Sequence, residues 1–448
     1  MAQVYPFRAF RYNPAQVSFD RVLTQPYDKI SSEMQDKYYA ADPHNLIVVE
    51  KGRAYPSDAP ENNVYTRAAA ALNDWISKHV VTQDPAPAFY SYTQEYPVPG
   101  SEERRTRRGF IGAGKLEEYS AGVVFRHEHT LSGPKADRLE MLRNTRTHTG
   151  QLFMLYSDAE NRVDKILKAA ETANAPATEL RDEYGVTHRL WPIAEPQQVA
   201  AIRQAMAPQK LVIADGHHRY ETALTYRNER RAQAGKENPE ASYERAMMTF
   251  VNTRSEGLTI LPGHRVAANI HDFSWAAVRR YLEPWFAAEA FPFANDDEER
   301  EARTKFLAQL VAARAQRAIG VYPAADAGQR AFYVLTLRPG VNLAQLLPNV
   351  SPLQRELDVV LLHEGILEPA LGITPQAVTA EKNLTFEREA SVAIDAVNSG
   401  KAQIAFLLNA CDVEQVMRIA TANEVMPQKS TDFYPKMLSG ITMYRIEE

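Results

Sequence analysis

The segment IADGHHRYETAL, residues 213–224, gathers side chains that bind charged ligands around one glycine. An apolar run precedes Asp215 and a helical pattern follows Arg219, which predicts a turn between a strand and a helix. N–H groups at a helix start lack intrahelical partners and carry the positive end of the helix dipole. We therefore expect a phosphate or nucleotide site, whose binding residues are Gly216, His217, His218 and Arg219.

Asp215 is the carboxylate of this turn. Proteins usually hold Mg²⁺ through one or two carboxylates together with substrate phosphates. The sequence therefore predicts that Asp215 takes part in catalysis as the ligand of a Mg²⁺ ion that accompanies a nucleotide. The alternative is a capped helix with surface histidines, but four charged or proton-active groups within five residues favour a binding site.

A second cluster, Arg126-His127-Glu128-His129-Thr130, follows a short apolar strand. A glutamate beside imidazoles could act as a general base with a tuned pKa. The spacing of His127 and His129 would also suit two zinc ligands, although the spacing provides no third one. A solvated, charged strand end is the alternative.

The third cluster, Met426–Lys436, carries two lysines and two adjacent hydroxyls in a stretch bounded by prolines. Such a rigid polar loop suits contact with an anion, and the alternative is an ordinary surface loop. The polar loops 26–29 and 261–265 are equally ambiguous, and His363-Glu364 is interpreted as a structural pair within a helix.

These clusters must be positioned by alternating strands and helices. Strands are predicted over 109–116, 122–125, 152–156, 186–191, 210–214 and 247–253, and helices over 135–147, 197–206 and 220–234. This alternation predicts an α/β domain. We expect an N-terminal α/β region over 1–105, a nucleotide-binding core over 106–256 and a C-terminal α/β domain over 257–448.

Three segments are interpreted as structural: one is rich in glycine, one is acidic and one carries mixed charges. Gly109–Lys115 fits half of a P-loop, but Leu116 stands where a Mg²⁺-binding hydroxyl is needed, so a strand is expected. The acids at 296–299 follow Asn295, a good N-cap, and favour the helix dipole. The charged stretch 101–108 is expected to connect a hairpin.

The bulk composition excludes several classes of function. The chain has 448 residues, 45% of them hydrophobic, and a net charge of -5, so it lacks the basic surface expected of a nucleic-acid-binding protein. A single cysteine, Cys411, excludes an internal disulfide and a cysteine-based metal cluster. No apolar run is long enough to span a bilayer. We expect a soluble cytoplasmic protein, with a homodimer as the oligomeric state to test.

The order of motifs resembles the domain-of-unknown-function-1015 family from end to end. The motifs are PYDxIS (26–31), DPHN (42–45), HExT…DRLxxLR (127–143), ADGHHRYETAL (214–224), LPxHR (261–265), LLHE (361–364) and MPxKSTxFxPK (426–436). The usual PPYD of that family is Gln25-Pro26-Tyr27-Asp28 here. The central region also resembles the ParB/sulfiredoxin superfamily, in which a strand–GxHR–helix turn binds nucleotide phosphates.

Within that superfamily, the His-Glu pair and the DGHHR turn are most similar to those of free serine kinases. The resemblance implies that Glu128, next to His127, takes the proton of a substrate hydroxyl, while residues 215–219 hold phosphates and metal. Sulfiredoxin chemistry needs a cysteine where this chain has His217. Residues expected to contact substrate or product are Arg126, His129, Lys429, Ser430, Thr431 and Lys436.

The leading hypothesis is therefore a small-molecule kinase that uses ATP or ADP with Mg²⁺, and the expected acceptor is free L-serine. A nucleotide-binding regulator without turnover is the alternative, in which Glu128 would be dispensable. A metal hydrolase built on His127, His129, His217 and His218 is a third hypothesis. The expected partners are a nucleotide and a small molecule, without nucleic acid or membrane.

Overall fold

The computed structural model describes residues 1–128, 132–235, 238–325, 328–379 and 382–447. The chain divides into two compact units. Unit 1 comprises Met1–Arg126, Thr130–Thr259 and Phe433–Glu448, and unit 2 comprises His127–His129 and Ile260–Asp432. No helix among the described residues is both long enough and apolar enough to cross a membrane.

The strands and helices alternate along much of the chain. The strands are β1 (Val4–Tyr5), β2 (Phe10–Tyr12), β3 (Val81–Gln83), β4 (Phe89–Pro97), β5 (Arg104–Lys115), β6 (Val124–Phe125), β7 (Thr147–His148), β8 (Leu152–Tyr156), β9 (Thr178–Arg181), β10 (Thr187–Ile193), β11 (Leu211–Asp215), β12 (Arg245–Asn252), β13 (Thr259–Leu261), β14 (His264–Ala267), β15 (Phe286–Phe293), β16 (Ile319–Pro323), β17 (Arg330–Leu337), β18 (Leu384–Glu387), β19 (Ile404–Leu408), β20 (Asp432–Tyr434) and β21 (Tyr444–Arg445). The α-helices are α1 (Phe19–Val22), α2 (Ser32–Ala41), α3 (Ile47–Glu50), α4 (Val64–Ser77), α5 (Ser132–Thr145), α6 (Arg162–Ala173), α7 (Pro196–Met206), α8 (His217–Ala234), α9 (Trp275–Leu282), α10 (Asp296–Ala312), α11 (Leu343–Leu346), α12 (Asp358–Leu362), α13 (Glu368–Leu371), α14 (Pro375–Thr379), α15 (Ala390–Asn398) and α16 (Val413–Thr421).

Unit 1 is built on a nine-stranded mixed sheet with the order β6-β11-β8-β12-β5-β4-β10-β9, in which β1 pairs with the end of β5. The pairs β11–β6 and β12–β8 are parallel, and the pairings of β11–β8, β12–β5 and β4–β5 are antiparallel. The central strand β8 is buried throughout, as its continuous apolar sequence LFMLY predicts.

The core of unit 1 lies where one face of this sheet packs against α6, α7 and α8. Phe110, Met154 and Ile213 come from the sheet, and Leu167 and Tyr220 come from the helices. Tyr220 is fully buried, and its hydroxyl donates to the carbonyl of Glu117 at 2.7 Å. This packing fixes the first turn of α8 against the end of β11.

Unit 2 contains a six-stranded sheet with the order β15-β17-β16-β19-β14-β18, and every pairing within it is antiparallel. Its core is formed by Phe306 and Leu310 of α10 and Ile394 of α15, which pack against Phe332 and Leu407 of the sheet. Asn295 caps α10 by accepting hydrogen bonds from the amides of Asp297 and Glu298, so the N-cap interpretation is confirmed.

The mixed α/β fold class is confirmed, with three differences in detail. Helix α8 begins at His217 instead of residue 220, because its polar first turn carries no apolar periodicity. The stretch 104–108 is the start of β5 and not a connection. Strand β4 of the N-terminal region pairs with β5 of the expected core, so both regions contribute to one sheet. The three-region division and the ParB/sulfiredoxin-like description stay predictions.

Candidate functional site

The strand β11 delivers the chain to Gly216, and α8 begins at the next residue. Gly216 has φ +94°, a left-handed conformation that an L side chain rarely adopts. A Cβ there would lie 3.0 Å from Leu152 Cδ2 and 3.1 Å from Arg219 Nη2. The first intrahelical bond runs from Tyr220 N to Gly216 O, so the turn directs the N-terminal end of an 18-residue helix to the end of the strand.

Asp215, the last residue of β11, lies next to two cations of unit 1. Its Oδ2 is 3.5 Å from Arg219 Nη2 and 3.8 Å from Lys436 Nζ. Burial alone would raise the pKa of the Asp215 carboxyl, but the charges of Lys436, Arg219 and Lys29 outweigh burial and lower this pKa to about 2. Asp215 is therefore ionised at neutral pH, within a region of positive potential.

Arg219 is held from two sides. Its Nη1 donates to the carbonyl of Gln151 at 2.7 Å, and its side chain is 15% exposed. Gly150 permits this approach, since a Cβ at that position would lie 3.0 Å from Arg219 Nη1. A small cavity of about 50 Å³ borders Arg219, Tyr27, Glu50 and Thr149. The guanidinium is thus positioned before any ligand binds.

Residues from the N-terminal region of the chain complete this part of unit 1. Glu50 is buried and accepts hydrogen bonds from Thr149 Oγ1 at 2.7 Å and from Ser439 Oγ at 2.9 Å. Arg138 of α5 donates to the carbonyl of Glu50 at 2.9 Å and lies 4.3 Å from the ring centre of Tyr27. Burial raises the pKa of the Tyr27 hydroxyl to about 12, so this hydroxyl stays protonated.

The two histidines of the turn differ in environment. His217 is 6% exposed, and His218 is only partly buried. Burial lowers the pKa of His218, so its imidazole is mainly neutral at pH 7. One turn further along α8, the Glu221 carboxylate forms ion pairs with Lys135 Nζ at 3.0 Å and with Arg126 Nη1 at 3.4 Å. Arg126 is therefore an ion-pair partner of α8.

The residues around Asp215 fit a Mg²⁺ ion that arrives with phosphates better than one bound by the protein alone. Among the described residues, no group of three or more His, Cys, Asp or Glu side chains is arranged to hold a metal. Asp215 is moreover already neutralised by Arg219 and Lys436. A single carboxylate of this kind matches the sites in which phosphate oxygens and water complete the Mg²⁺ shell.

The remaining predicted side chains come together in unit 2, in a group that we call the Glu128 cluster: His127, Glu128, Lys429, Ser430 and Thr431. His127 Nε2 lies 2.9 Å from Thr431 Oγ1. The amide of Lys429 donates to Glu128 Oε1 at 2.9 Å, and Ser430 Oγ donates to the carbonyl of Pro427. The backbone of 127–128 thus runs beside that of 426, where Met426 N donates to His127 O at 2.8 Å.

Arg265 supports the loop that contacts Glu128. Its side chain is fully buried, and it donates to the carbonyls of Gly263 and Gln428 and to His363 Nε2, the last at 3.1 Å. Burial, reinforced by the positive charge of Arg265, lowers the pKa of His363 to about 3, so this ring accepts the bond in its neutral form. The LPxHR, LLHE and MPxKST motifs therefore meet in one network within unit 2.

The predicted site residues thus fall into two groups, one in each unit. Unit 1 holds Asp215 to Arg219, Arg126 and Lys436, and unit 2 holds the Glu128 cluster. His129 lies outside the described residues. The sequence analysis missed Glu50, which lies in none of the motifs, and left Tyr27 and Lys29 as an ambiguous loop, although both belong to the PYDxIS motif.

Comparisons with solved structures identify distant similarities. A free serine kinase in complex with AMP is 13% identical, covers 71% of this chain and 88% of its own, and has a TM-score of 0.33. A conserved hypothetical protein from Pyrococcus furiosus is 13% identical, with coverages of 70% and 90% and a TM-score of 0.30. SbnI with a C-terminal truncation, from Staphylococcus aureus, is 10% identical, with coverages of 73% and 85% and a TM-score of 0.31.

No curated protein matches the sequence. One family model does match it: "Protein of unknown function (DUF1015)" covers residues 4–360. This range includes the PYDxIS, HExT, DGHHR and LPxHR motifs, whereas LLHE and MPxKST lie beyond it. Because the match extends over most of the chain, the protein belongs to the DUF1015 family.

Proposed function

We propose that the protein is a small-molecule kinase that transfers a phosphoryl group from ATP or ADP to a hydroxyl, with free L-serine as the acceptor and O-phosphoserine as the product. The observation that carries the proposal is the start of α8. There a left-handed glycine, Arg219 and Lys436 surround the N-terminal end of a long helix. Phosphoryl transfer requires mainly positioning and charge neutralisation from a protein, and such a turn supplies both.

The nucleotide phosphates would bind the backbone amides of the turn and the guanidinium of Arg219. Arg219 is suited to this role because its Nη1 bond to Gln151 O holds the side chain in place before binding. Lys436 and Lys29 add positive charge around Asp215, while His217 and His218 would donate hydrogen bonds. The start of α8 therefore offers oriented donors and not merely a positive surface.

Asp215 would hold the Mg²⁺ ion that accompanies the nucleotide. When bound, this ion supplies positive charge to the phosphate oxygens and thereby stabilises the charge that develops during transfer. Asp215 suits this role because its pKa of about 2 keeps it ionised over the whole physiological range. Its existing contacts with Arg219 and Lys436 would be rearranged when phosphates enter.

Glu128 is proposed as the base of the reaction. Its carboxylate would take the proton of the acceptor hydroxyl while the hydroxyl oxygen bonds to phosphorus and the bond from phosphorus to the departing nucleotide breaks. The amide of Lys429 supports this role because it fixes one carboxylate oxygen at 2.9 Å. His127, Lys429, Ser430 and Thr431 would orient the acceptor or its phosphorylated product, and Arg126 and His129 are weaker candidates for the same task.

Serine is the proposed acceptor because the His127-Glu128 pair and the DGHHR turn are similar in sequence to those of free serine kinases. Hydroxyl phosphorylation in general is supported by the turn at the start of α8 and, separately, by the amide that holds the Glu128 carboxylate. The assay must therefore compare acceptors and donors.

The test is product formation from L-serine, with ATP and ADP as separate donors and Mg²⁺ present, followed by ³¹P NMR. Wild type is expected to form O-phosphoserine, and Glu128→Gln is expected to reduce turnover by about 100-fold or more while nucleotide affinity stays unchanged. Glu424→Gln is the matched control, because the described side-chain contact of Glu424 in unit 2 is with Ser351, which lies outside the Glu128 cluster.

The outcomes separate the hypotheses. Full activity of Glu128→Gln would show that the assigned base is wrong. Tight nucleotide binding without product across a panel of hydroxyl acceptors would favour the alternative, a nucleotide-binding regulator that does not turn over. Phosphorylation of another hydroxyl, but not of serine, would retain the kinase and replace its acceptor.

A further inference from the structure

Two buried polar side chains stand opposite each other in the sheet of unit 1. Arg107 of β5 pairs in register with Gln94 of β4, and each is 1% exposed. Successive side chains of a strand point to opposite faces, so Arg107 points away from the core that contains Phe110, three residues further along β5. Arginine and glutamine are rarely buried to this extent, and the pair therefore requires a specific explanation.

Arg107 places a full charge in the interior of unit 1. Its guanidinium donates to Gln94 Oε1 at 3.1 Å, to the carbonyl of Tyr434 at 3.2 Å and to the carbonyl of Pro435, all of which are uncharged acceptors. Burial lowers the pKa of this guanidinium to about 10, so it is still protonated at pH 7. Burying a charge among neutral groups is usually less stable than packing an apolar side chain there. The bonds of Arg107 therefore indicate a role besides stability.

The hydrogen bonds of both side chains converge on one short segment of the MPxKSTxFxPK motif. Arg107 holds the carbonyls of residues 434 and 435, and Gln94 Nε2 donates to the carbonyl of Lys436 at 2.8 Å. Because Arg107 and Gln94 are also bonded to each other, each orients the other. Three consecutive carbonyls, of residues 434–436, are thereby attached to the sheet.

Lys436 extends from this anchored backbone to the phosphate turn. Its side chain is 11% exposed, and its Nζ lies 3.8 Å from Asp215 Oδ2. Of the neighbouring charges that lower the pKa of Asp215, the charge of Lys436 has the largest effect. A lysine ammonium stands at the end of a flexible stem, so its position depends on a fixed main chain. The attachment of 434–436 therefore determines where this ammonium lies.

We propose that Arg107 and Gln94 are positioning residues of the phosphate site, which hold the backbone of 434–436 so that the ammonium of Lys436 meets the nucleotide phosphates beside Asp215. Neither side chain touches the nucleotide, since both are buried under the segment that they hold. The inference rests on the proposed function, because it assigns Lys436 to phosphate binding. It explains why a buried strand position carries a charge.

The test is a double-mutant cycle, measured by calorimetry of the full chain with ADP and with ATP in the presence of Mg²⁺. Lys436→Gln is expected to weaken nucleotide binding about tenfold, and Gln94→Met, which has a similar size but cannot hold the carbonyl, about fivefold. In the Lys436→Gln background, Gln94→Met is expected to change the affinity by less than about twofold. The effect of Gln94 thus acts through Lys436.

The outcomes separate this inference from the proposed function. If Gln94→Met weakens binding by the same factor with and without the lysine, or does not weaken it at all, Gln94 does not act through Lys436 and the positioning role is wrong, while the phosphate site stands. If wild type binds neither nucleotide, the phosphate site is wrong and the positioning role is wrong with it.

A second variant and a control complete the experiment. Arg107→Lys keeps the charge but loses the planar fork that holds two carbonyls. It should weaken binding about fivefold, again only when Lys436 is present, and it tests the proposal even if Gln94→Met does not fold. Ser91→Ala is the control, because buried Ser91 of β4 bonds to Glu171 at 2.7 Å on the opposite face of the sheet. Its affinity should equal that of wild type, and wild-type affinity in Arg107→Lys would refute the proposed role of Arg107.

Discussion

At the start of α8, Asp215 contacts two cations at once, and this sharpens its proposed role. The carboxylate neutralises part of the charge of Arg219 and Lys436, at 3.5 Å and 3.8 Å. An incoming phosphate would compete for the same cations. Asp215 is therefore expected to weaken the binding of a metal-free phosphate and to strengthen the binding of a phosphate that carries Mg²⁺.

Asp215→Asn is expected to strengthen the binding of Mg²⁺-free ADP by a few-fold, since removing one negative charge leaves Arg219 and Lys436 for the phosphates, a gain of about 1 kcal/mol. The same variant should lose the increase in affinity that Mg²⁺ gives to wild type. Calorimetry with EDTA and with Mg²⁺ measures both effects.

Glu229→Gln is the matched control for this experiment. Glu229 lies on the same helix and pairs with Arg143 at the surface, so its loss should leave nucleotide binding unchanged. Weaker binding of Mg²⁺-free ADP by Asp215→Asn would contradict the idea that Asp215 and the phosphates compete for Arg219 and Lys436.

The composition of the turn could be predicted from sequence, but its surroundings could not. Asp215, Gly216 and Arg219 lie within five residues, and their types predict an anion site. Lys436 and Glu50 reach this part of unit 1 only through the folding of distant segments. No local pattern contains this information, although the family motifs do mark parts of it.

At the scale of elements, the strand–glycine–helix connection is the feature on which the phosphate site depends. Gly216→Ala must place a side chain at φ +94° and within 3.0 Å of Leu152 Cδ2. We expect it to lower the free energy of unfolding by about 1–2 kcal/mol and to weaken nucleotide binding at least about tenfold. Denaturant unfolding and calorimetry measure the two effects.

Gly235→Ala controls for the loss of a left-handed glycine. Gly235 ends the same helix with φ +65°, and among the described residues no atom outside its chain neighbours and the helix backbone lies within 4 Å of the position of its Cβ. We expect a stability loss of about 1 kcal/mol without a change in nucleotide affinity. If both glycine variants bound nucleotide equally well, the turn would not be the phosphate site.

Elements with a clear hydrophobic pattern agree with the sequence prediction, and those governed by tertiary contacts do not. Strand β8 is buried throughout, and its bounds agree with the sequence prediction. The stretch 104–108 is charged, yet it forms part of β5 because Arg107 is buried and donates to Gln94 Oε1 at 3.1 Å. Strand β15 was missed because its central residues are exposed and do not alternate regularly.

At the scale of the whole molecule, the fold keeps several buried or partly buried histidines in neutral form. Burial, together with a nearby arginine, lowers the pKa of His148 and His264 to about 4 and that of His363 to about 3. An unfolded chain would protonate each of them near pH 6.5. Between pH 6.5 and pH 4 the unfolded chain binds more protons than the folded one. The free energy of unfolding therefore falls as the pH is lowered through this range.

The expected result is a lower thermal midpoint at pH 5 than at pH 7. His264→Gln should reduce this difference, because one histidine with a lowered pKa is removed while a side-chain acceptor for Leu408 N is retained. His271→Gln is the control, since His271 is exposed and pairs with its neighbour Asp272. A thermal midpoint at pH 5 that equals or exceeds the one at pH 7 would contradict the claim that the folded protein holds these histidines in neutral form.

Membership of the DUF1015 family agrees with the end-to-end order of motifs, although the family match stops at residue 360. The sequence also predicted the mixed α/β class, because strands and helices alternate clearly between residues 106 and 256. The distribution of the site residues over two units could not be predicted, since the chain of unit 1 is interrupted by that of unit 2.

The central claim is that the start of α8 binds nucleotide phosphates, and calorimetry of ATP and ADP with Arg219→Gln tests it most directly. Wild type is expected to bind at least one nucleotide, and Arg219→Gln is expected to bind it about 10- to 100-fold more weakly, because a charged contact with the phosphates is lost. Arg230→Gln, three turns along the same helix and bonded only to Gln233 among the described contacts, should bind like wild type. Equal affinity of wild type and Arg219→Gln, or no nucleotide binding by wild type, would contradict the account.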